Sequence, residues 1–251
     1  MIDMRSLYEH SDYPLALQNF NSSTPKKWSK FQGVHLAVTK NKCPICECTL
    51  IDHLLTRPSN KSGKPPVQII PTVDHYRPKM HYPFLEFQHM NYILMCSECN
   101  NIYKKSEFPL FGAHAARATN FAQLATEQPL IANPISDDIF NLFKVVTRRL
   151  PNSRKVLELT PKHDTGYFYE KALETIKLFG IGDCEINAHS NANIKALRIN
   201  LLRSHFSIFE NFINAYLHND VNKMRIETEE KNLNSYGFFQ LILKNQVEKL
   251  T

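Results

Sequence analysis

The sequence predicts an α+β fold, mostly α, in which a zinc-stapled module of short strands precedes a helical C-terminal region. Three observations predict it. Cys43-Pro-Ile-Cys46 and Cys96-Ser-Glu-Cys99 are two CxxC pairs. The runs "VQIIPTVDHY" and "NYILMCSECN" are β-prone and lie between and into those pairs. From about Leu157 onward, apolar residues recur at helical spacing.

Bulk properties bound the possibilities. A chain of 251 residues holds one large domain or two small ones. Hydrophobic residues make up 43%, enough for a buried core and against global disorder. A formal net charge of +6 and a pI near 8.9 permit a polyanionic partner without requiring one. No run approaches the ~18 consecutive apolar residues of a membrane span. The start, "MIDMRSLYEHSDYPL", lacks a charged head followed by an apolar stretch, so no signal peptide is expected. A cytoplasmic, reducing location follows, with no membrane partner. Disulfides are disfavoured there, and the six cysteines need another account.

Taken in order, residues 1–28 are polar and carry Pro14 and Pro25, so little regular structure is expected. "KKWSKFQGVHLAVTKN" predicts a short helix with Trp28, Phe31 and Leu36 inward. "KCPICEC" is a turn, and "TRPSNKSGKPP" an exposed loop. "VQIIPTVDHY" is a strand in which Pro71 limits pairing. "NYILMCSECN" is a strand entering a turn, and "NNIYKKSEF" a short helix. Residues 109–138 are a packed, proline-punctuated connection. "GYFYEKALETIKLFG" is a helix with Phe168, Ala172, Ile176 and Phe179 inward and Gly180 as its stop. Residues 186–217 carry two apolar stripes and predict a sandwiched helix. "SYGFFQLILKNQVEKL" is a final amphipathic helix. The chain divides into an N-terminal segment (1–40), the cysteine-bracketed module (41–112) and a connection followed by a helical scaffold for partner docking (113–251).

Each CxxC pair presents two thiolates, and two pairs complete a tetrahedral zinc site from Cys43, Cys46, Cys96 and Cys99. Cys48 is expected to be a spare thiol and Cys184 a packing residue. Between and after the pairs come Asp74-His75, Asn91 and Asn100, in that order. This order resembles the HNH nucleases, the ββα-metal fold in its zinc-stapled form. The resemblance implies an Asp-His pair ending the first strand, an Asn supporting the loop before the second, and an Asn on the first turn of the helix.

Phosphodiester hydrolysis gives each residue a role. His75 would be the general base, since an imidazole titrates near neutrality. Asp74 and Asn100 would hold Mg²⁺ or Mn²⁺ through hard oxygen ligands, and Asn91 would support the loop. Lys104 lies one step further from Asn100 than in many HNH sequences, which keeps Asn101 open as the ligand instead of Asn100. Arg77, Lys79, His81, Lys104 and Lys105 form a candidate phosphate-binding set. A second Asp-His pair, Asp52-His53, lacks the Arg-Pro-Lys that follows Asp74-His75.

"CPICE", "VDHYRPK", "YILMCSECNNIYKKSEFPL" and "EQPLIANPISDD" together resemble the PtuB-like HNH proteins associated with Septu systems and retrons, over about residues 40 to 140. That resemblance implies an endonuclease effector of bacterial anti-phage defence. Its partners would be nucleic acid, a PtuA-like ABC/SMC-type ATPase and, in the retron branch, a reverse transcriptase with its RNA–DNA product. The alternatives are a zinc-ribbon nucleic-acid-binding module without chemistry, and a non-catalytic subunit that regulates the ATPase.

Overall fold

The computed structural model describes residues 1–50, 56–57, 67–68, 70–112, 116–149, 155–181, 211–212, 214–215, 218–230 and 232–247. Asp52-His53, Cys184 and all but four positions of the 186–217 run lie outside them. The fold is mixed α+β with small sheets. Two compact units make up the chain, Ile2–Asp137 and Asp138–Thr251, the latter with Met1. The division at Asp137 differs from the expected boundaries at 40 and 112: the N-terminal segment and the cysteine-bracketed module pack as one body.

In the first unit, α1 (Tyr13–Ser22) replaces the irregular segment expected there. Pro14 sits in its first turn, where a missing N–H costs no intrahelical bond. Tyr13, Ala16 and Phe20, spaced three and four apart, bury one face. A 3₁₀ turn (Trp28–Phe31) leads into α2 (Gln32–Val38). The inward residues are Phe31, Val34 and His35, whereas Trp28 and Leu36 are only half-buried. Phe31 meets Tyr13, Phe20 and Tyr92 at ring-centroid distances of 5.5, 5.3 and 5.6 Å, the centre of an aromatic core.

β1 (Thr56–Arg57) and β2 (Val67–Gln68) form a two-residue antiparallel ladder. β3 (Pro71–His75) pairs antiparallel with β4 (Tyr92–Cys96), in register from Pro71↔Cys96 to His75↔Tyr92. The Leu94 N–H donates away from β3, to His35 Nδ1 on α2 (3.2 Å), and the Cys96 N–H donates to Cys43 Sγ (3.3 Å). Pro71 stands opposite Cys96, at a position of the ladder that needs no N–H from it. A buried imidazole and a thiol thus satisfy the outer edge of β4. His35 is held neutral there, its pKa lowered to about 3 by burial.

β4 runs straight into a helical turn. Its last part, Cys99–Lys104, is wound as a π-helix, with the Lys105 N–H donating to the Asn100 carbonyl (2.7 Å). The short helix expected over these residues exists, but in this wider winding. The segment after it returns to the sheet: Tyr76 donates its hydroxyl to the Ile131 carbonyl (2.6 Å).

The second unit opens with α3 (Ile139–Leu142), capped by the Asp138 carboxylate, which accepts from the Phe140 N–H (3.0 Å). β5 (Phe143–Arg149) and β6 (Lys155–Pro161) then form an antiparallel pair, in register from Phe143↔Pro161 to Arg149↔Lys155. This corrects the expected helical onset at Leu157, which falls within β6. α4 (Gly166–Phe179) packs on β6 and α3. It ends at Gly180, whose φ of 62° is the left-handed conformation that glycine adopts without a Cβ penalty. Ala172, Ile176 and Phe179 are buried as expected, but Phe168 is 46% exposed. α5 (Val221–Glu230) is a polar helix the sequence pattern did not predict, and α6 (Gly237–Val247) packs on β5. Among the described residues no helix is long and apolar enough to cross a membrane.

Candidate metal centre and adjoining groove

The Sγ atoms of Cys43, Cys46, Cys96 and Cys99 all lie within 4.8 Å of one another and are buried. Cys46 and Cys96 are 3.7 Å apart, close to the edge of about 3.8 Å that a tetrahedron of ~2.3 Å zinc–sulfur bonds requires. Backbone amides point at the sulfurs: Cys96 N–H at Cys43 and Cys99 N–H at Cys96, both 3.3 Å. Thiol hydrogen bonding, from Cys43 foremost, holds Cys46 well below the usual thiol range and pushes Cys96 well above it. A dication bound by the four would displace their remaining protons. The four can hold a structural metal such as zinc. Cys48 is a fifth buried thiol whose Sγ accepts from Cys46 Sγ at 3.4 Å, so it lies against the cluster rather than apart from it.

The cluster fixes where β4 ends and the π turn begins. Beside it opens a groove of about 670 Å³, lined by Asp74, His75, Glu86, Asn100, Asn101 and Lys105 among others. Side chains alternate along β3: Val73 and His75 are buried, while Thr72 and Asp74 face the other side. Both Asp74 and His75 reach the groove because the strand stops at His75.

His75 lies between Trp28 and Tyr92, with ring centroids at 5.2 and 5.3 Å. Its Nε2 is 2.9 Å from the Glu86 carbonyl. A carbonyl only accepts, so Nε2 carries the hydrogen and Nδ1 is the basic nitrogen of the neutral ring. Burial lowers the His75 pKa below 6.5, against the opposing pull of that hydrogen bond and of Asp74.

Asn91 is buried and spans the turn after β3. Its Oδ1 accepts from Arg77 N–H (2.8 Å), its Nδ2 donates to the Arg77 carbonyl (3.0 Å), and its own carbonyl accepts from Tyr76 N–H (2.7 Å). The Asn100 amide is oriented from the strand. Thr72 spends its hydroxyl hydrogen on the Met95 carbonyl (3.0 Å), and its oxygen accepts from Asn100 Nδ2 (3.1 Å). Asn101 lines the same groove and is more exposed.

The expected phosphate-binding set divides. Lys105 and Lys79 line the groove, Lys79 paired with Glu86 (3.1 Å) and lying over the Trp28 ring (5.2 Å). His81 is half-buried and donates its N–H to the Pro78 carbonyl (2.9 Å) outside the groove lining. Lys104 is a correction: it is fully buried, with Nζ bound to Asp74 Oδ2 (2.7 Å) and the His75 carbonyl (2.8 Å). Arg77 is another. Its Nε pairs with Glu127 (2.9 Å), a carboxylate 1% exposed that also accepts from Tyr82 and the Ala118 N–H. Both cations serve the fold instead of facing solvent.

Trp28, Thr72 and Glu86 shape the site and were not singled out from the sequence as site residues; Trp28 was read only as a helix residue facing inward. Each acts through a contact 28 to 47 residues away or through its backbone, which leaves no local pattern. No protein-family model, curated protein or solved structure matches the chain.

Proposed function

We propose that the chain is a metal-dependent HNH-type endonuclease that hydrolyses phosphodiester bonds in nucleic acid. One observation carries this reading: Asp74, His75 and Asn100 line a single groove beside the four-cysteine cluster. Asp74 and Asn100 offer hard oxygens, a donor set that fits Mg²⁺ or Mn²⁺. That ion would neutralise charge developing on the phosphate and the leaving oxygen.

The chain's own residues supply the rest. His75 Nδ1 takes a proton from water, whose oxygen attacks phosphorus in line as the opposite P–O bond breaks. The Glu86 carbonyl holds Nε2–H and favours the imidazolium that forms. Lys105 and Lys79 line the groove and would hold the flanking phosphate. A metal held by Cys43, Cys46, Cys96 and Cys99 would keep Asn100, next to Cys99, in place relative to β3.

The motifs that resemble PtuB-like proteins support a further reading, an effector in anti-phage defence acting with a PtuA-like ATPase and, in a retron, with its reverse transcriptase. A second reading, a non-catalytic nucleic-acid-binding or ATPase-regulating subunit, is favoured by the Lys104 ammonium on Asp74. A plasmid-nicking assay with Mg²⁺ or Mn²⁺ decides between them. Wild type should cleave and His75→Ala should lose at least ~100-fold in rate, the usual contribution of a general base. No cleavage by wild type, alone or with the ATPase, overturns the enzyme reading.

A further inference from the structure

We propose that Lys104 is a positioning residue that clamps one oxygen of Asp74, so that the groove takes its divalent cation through the other oxygen alone and thereby selects small cations over Ca²⁺. The inference rests on the nuclease reading above and deepens it.

Lys104 is fully buried, and an ammonium out of water is sustained only by close partners. Its partners are Asp74 Oδ2 at 2.7 Å and the His75 carbonyl at 2.8 Å, two adjacent residues of the proposed site. Those bonds belong to a larger arrangement. Thr72 and Asp74 are two apart on β3 and so share a face. Asn100 reaches Thr72 and Lys104 reaches Asp74. The π turn is thus docked along one strand face by a polar contact at each end. An α-helical turn over the same residues would rotate Lys104 relative to Asn100 and lose one of the two contacts.

Consequences for the carboxylate follow. Asp74 is 14% exposed and lines the groove, while its Oδ2 is covered by a cation with no exposure at all. Oδ1 is the oxygen left for a metal. A single carboxylate oxygen plus waters suits Mg²⁺ or Mn²⁺, which keep near-octahedral shells with few protein ligands. Ca²⁺ prefers six to eight oxygens and often takes carboxylates with both, a mode Lys104 blocks. The fixed positive charge also weakens attraction for any dication.

The test is cation binding, read without catalysis, on full-length zinc-loaded protein. Free Mn²⁺ is followed by electron paramagnetic resonance, and Ca²⁺ is added as competitor; Asp74→Ala should abolish the bound fraction. Wild type should prefer Mn²⁺ to Ca²⁺. Lys104→Met should bind Mn²⁺ about tenfold tighter or more, from loss of the adjacent charge, and gain still more for Ca²⁺, narrowing the preference. Lys105→Met removes the same formal charge from the exposed rim and should change either affinity less than about threefold. Lys104→Gln, which keeps N–H donors without charge, serves if Lys104→Met fails to fold. Wild type binding Ca²⁺ as tightly as Mn²⁺ overturns the inference with no variant needed. So does unchanged selectivity in a folded Lys104 variant, and in both cases the nuclease reading stands. Absence of Mn²⁺ binding in wild type and all variants overturns the metal-dependent reading itself, and this inference with it.

Discussion

His75 shows how a single side chain is tuned by what surrounds it. Trp28 and Tyr92 exclude water from the ring, and burial is the largest influence on its pKa, a downward one. A lowered folded pKa keeps the ring neutral, and so basic, to a lower pH. Under the proposed nuclease activity, the acid limb of kcat/KM should therefore have its midpoint below 6.5. Trp28→Ala opens one face to water and should move that midpoint up toward 6.5; a limb that stays put would mean that Trp28 does not set the pKa. That Asp74, His75 and Asn100 would share one groove was legible in the sequence, because residue type, order and the bracketing cysteines all bear on them together. Lys104 and Arg77 were misjudged for a common reason. Sequence reports charge but not depth, and their partners lie 30 and 50 residues away.

At the scale of elements, the contact between α2 and β4 has a thermodynamic signature. His35 accepts the Leu94 N–H only when unprotonated, and its pKa falls from 6.5 to about 3 on burial. The folded state excludes a proton that the unfolded chain binds. This contribution is intact above pH 6.5 and is lost as pH falls from there toward 3. At pH 5 it costs about 2 kcal/mol, being 1.5 pH units at ~1.4 kcal/mol each. His35→Gln keeps an acceptor but does not titrate. Urea melts at pH 7 and pH 5 should show wild type losing about 2 kcal/mol more than this variant; equal losses would sink the account. The elements themselves were unevenly legible. α2, β3, β4, α4 and α6 follow their apolar spacing. α1 was missed because Pro14 was weighed as a breaker, although the first helical turn tolerates proline. β6 was absorbed into a helical pattern, since a short apolar run such as "VLEL" fits either period. α5 offers no apolar stripe to detect, and α and π winding carry the same residue preferences.

For the whole molecule, the cysteine cluster joins positions far apart in the chain: Cys43 and Cys96 are 53 residues apart. Zinc is expected at one ion per chain. In small modules such an ion stabilises folding by roughly 10 kcal/mol or more, comparable to the ~5–15 kcal/mol that holds an entire domain. Cys43→Ser should lose the zinc measured by plasma mass spectrometry and lower the melting temperature sharply. Cys48→Ser should retain it, because the two CxxC pairs already bring four sulfurs together without Cys48; zinc loss in Cys48→Ser would make it a ligand. The same cluster also bears on how copies of the protein avoid one another. A sheet of two strands has two edges, each a template onto which a foreign strand can add. Here β4 spends its outward donors on His35 and Cys43, while β3 begins with a proline and gives its last carbonyl to Lys104. Once Cys43 is oxidised or pulled away, the Cys96 N–H is released beside an apolar run, Tyr92–Met95. Demetallated protein should then be the species that aggregates through edge pairing, and a metal held by the four cysteines would guard solubility as much as staple the fold.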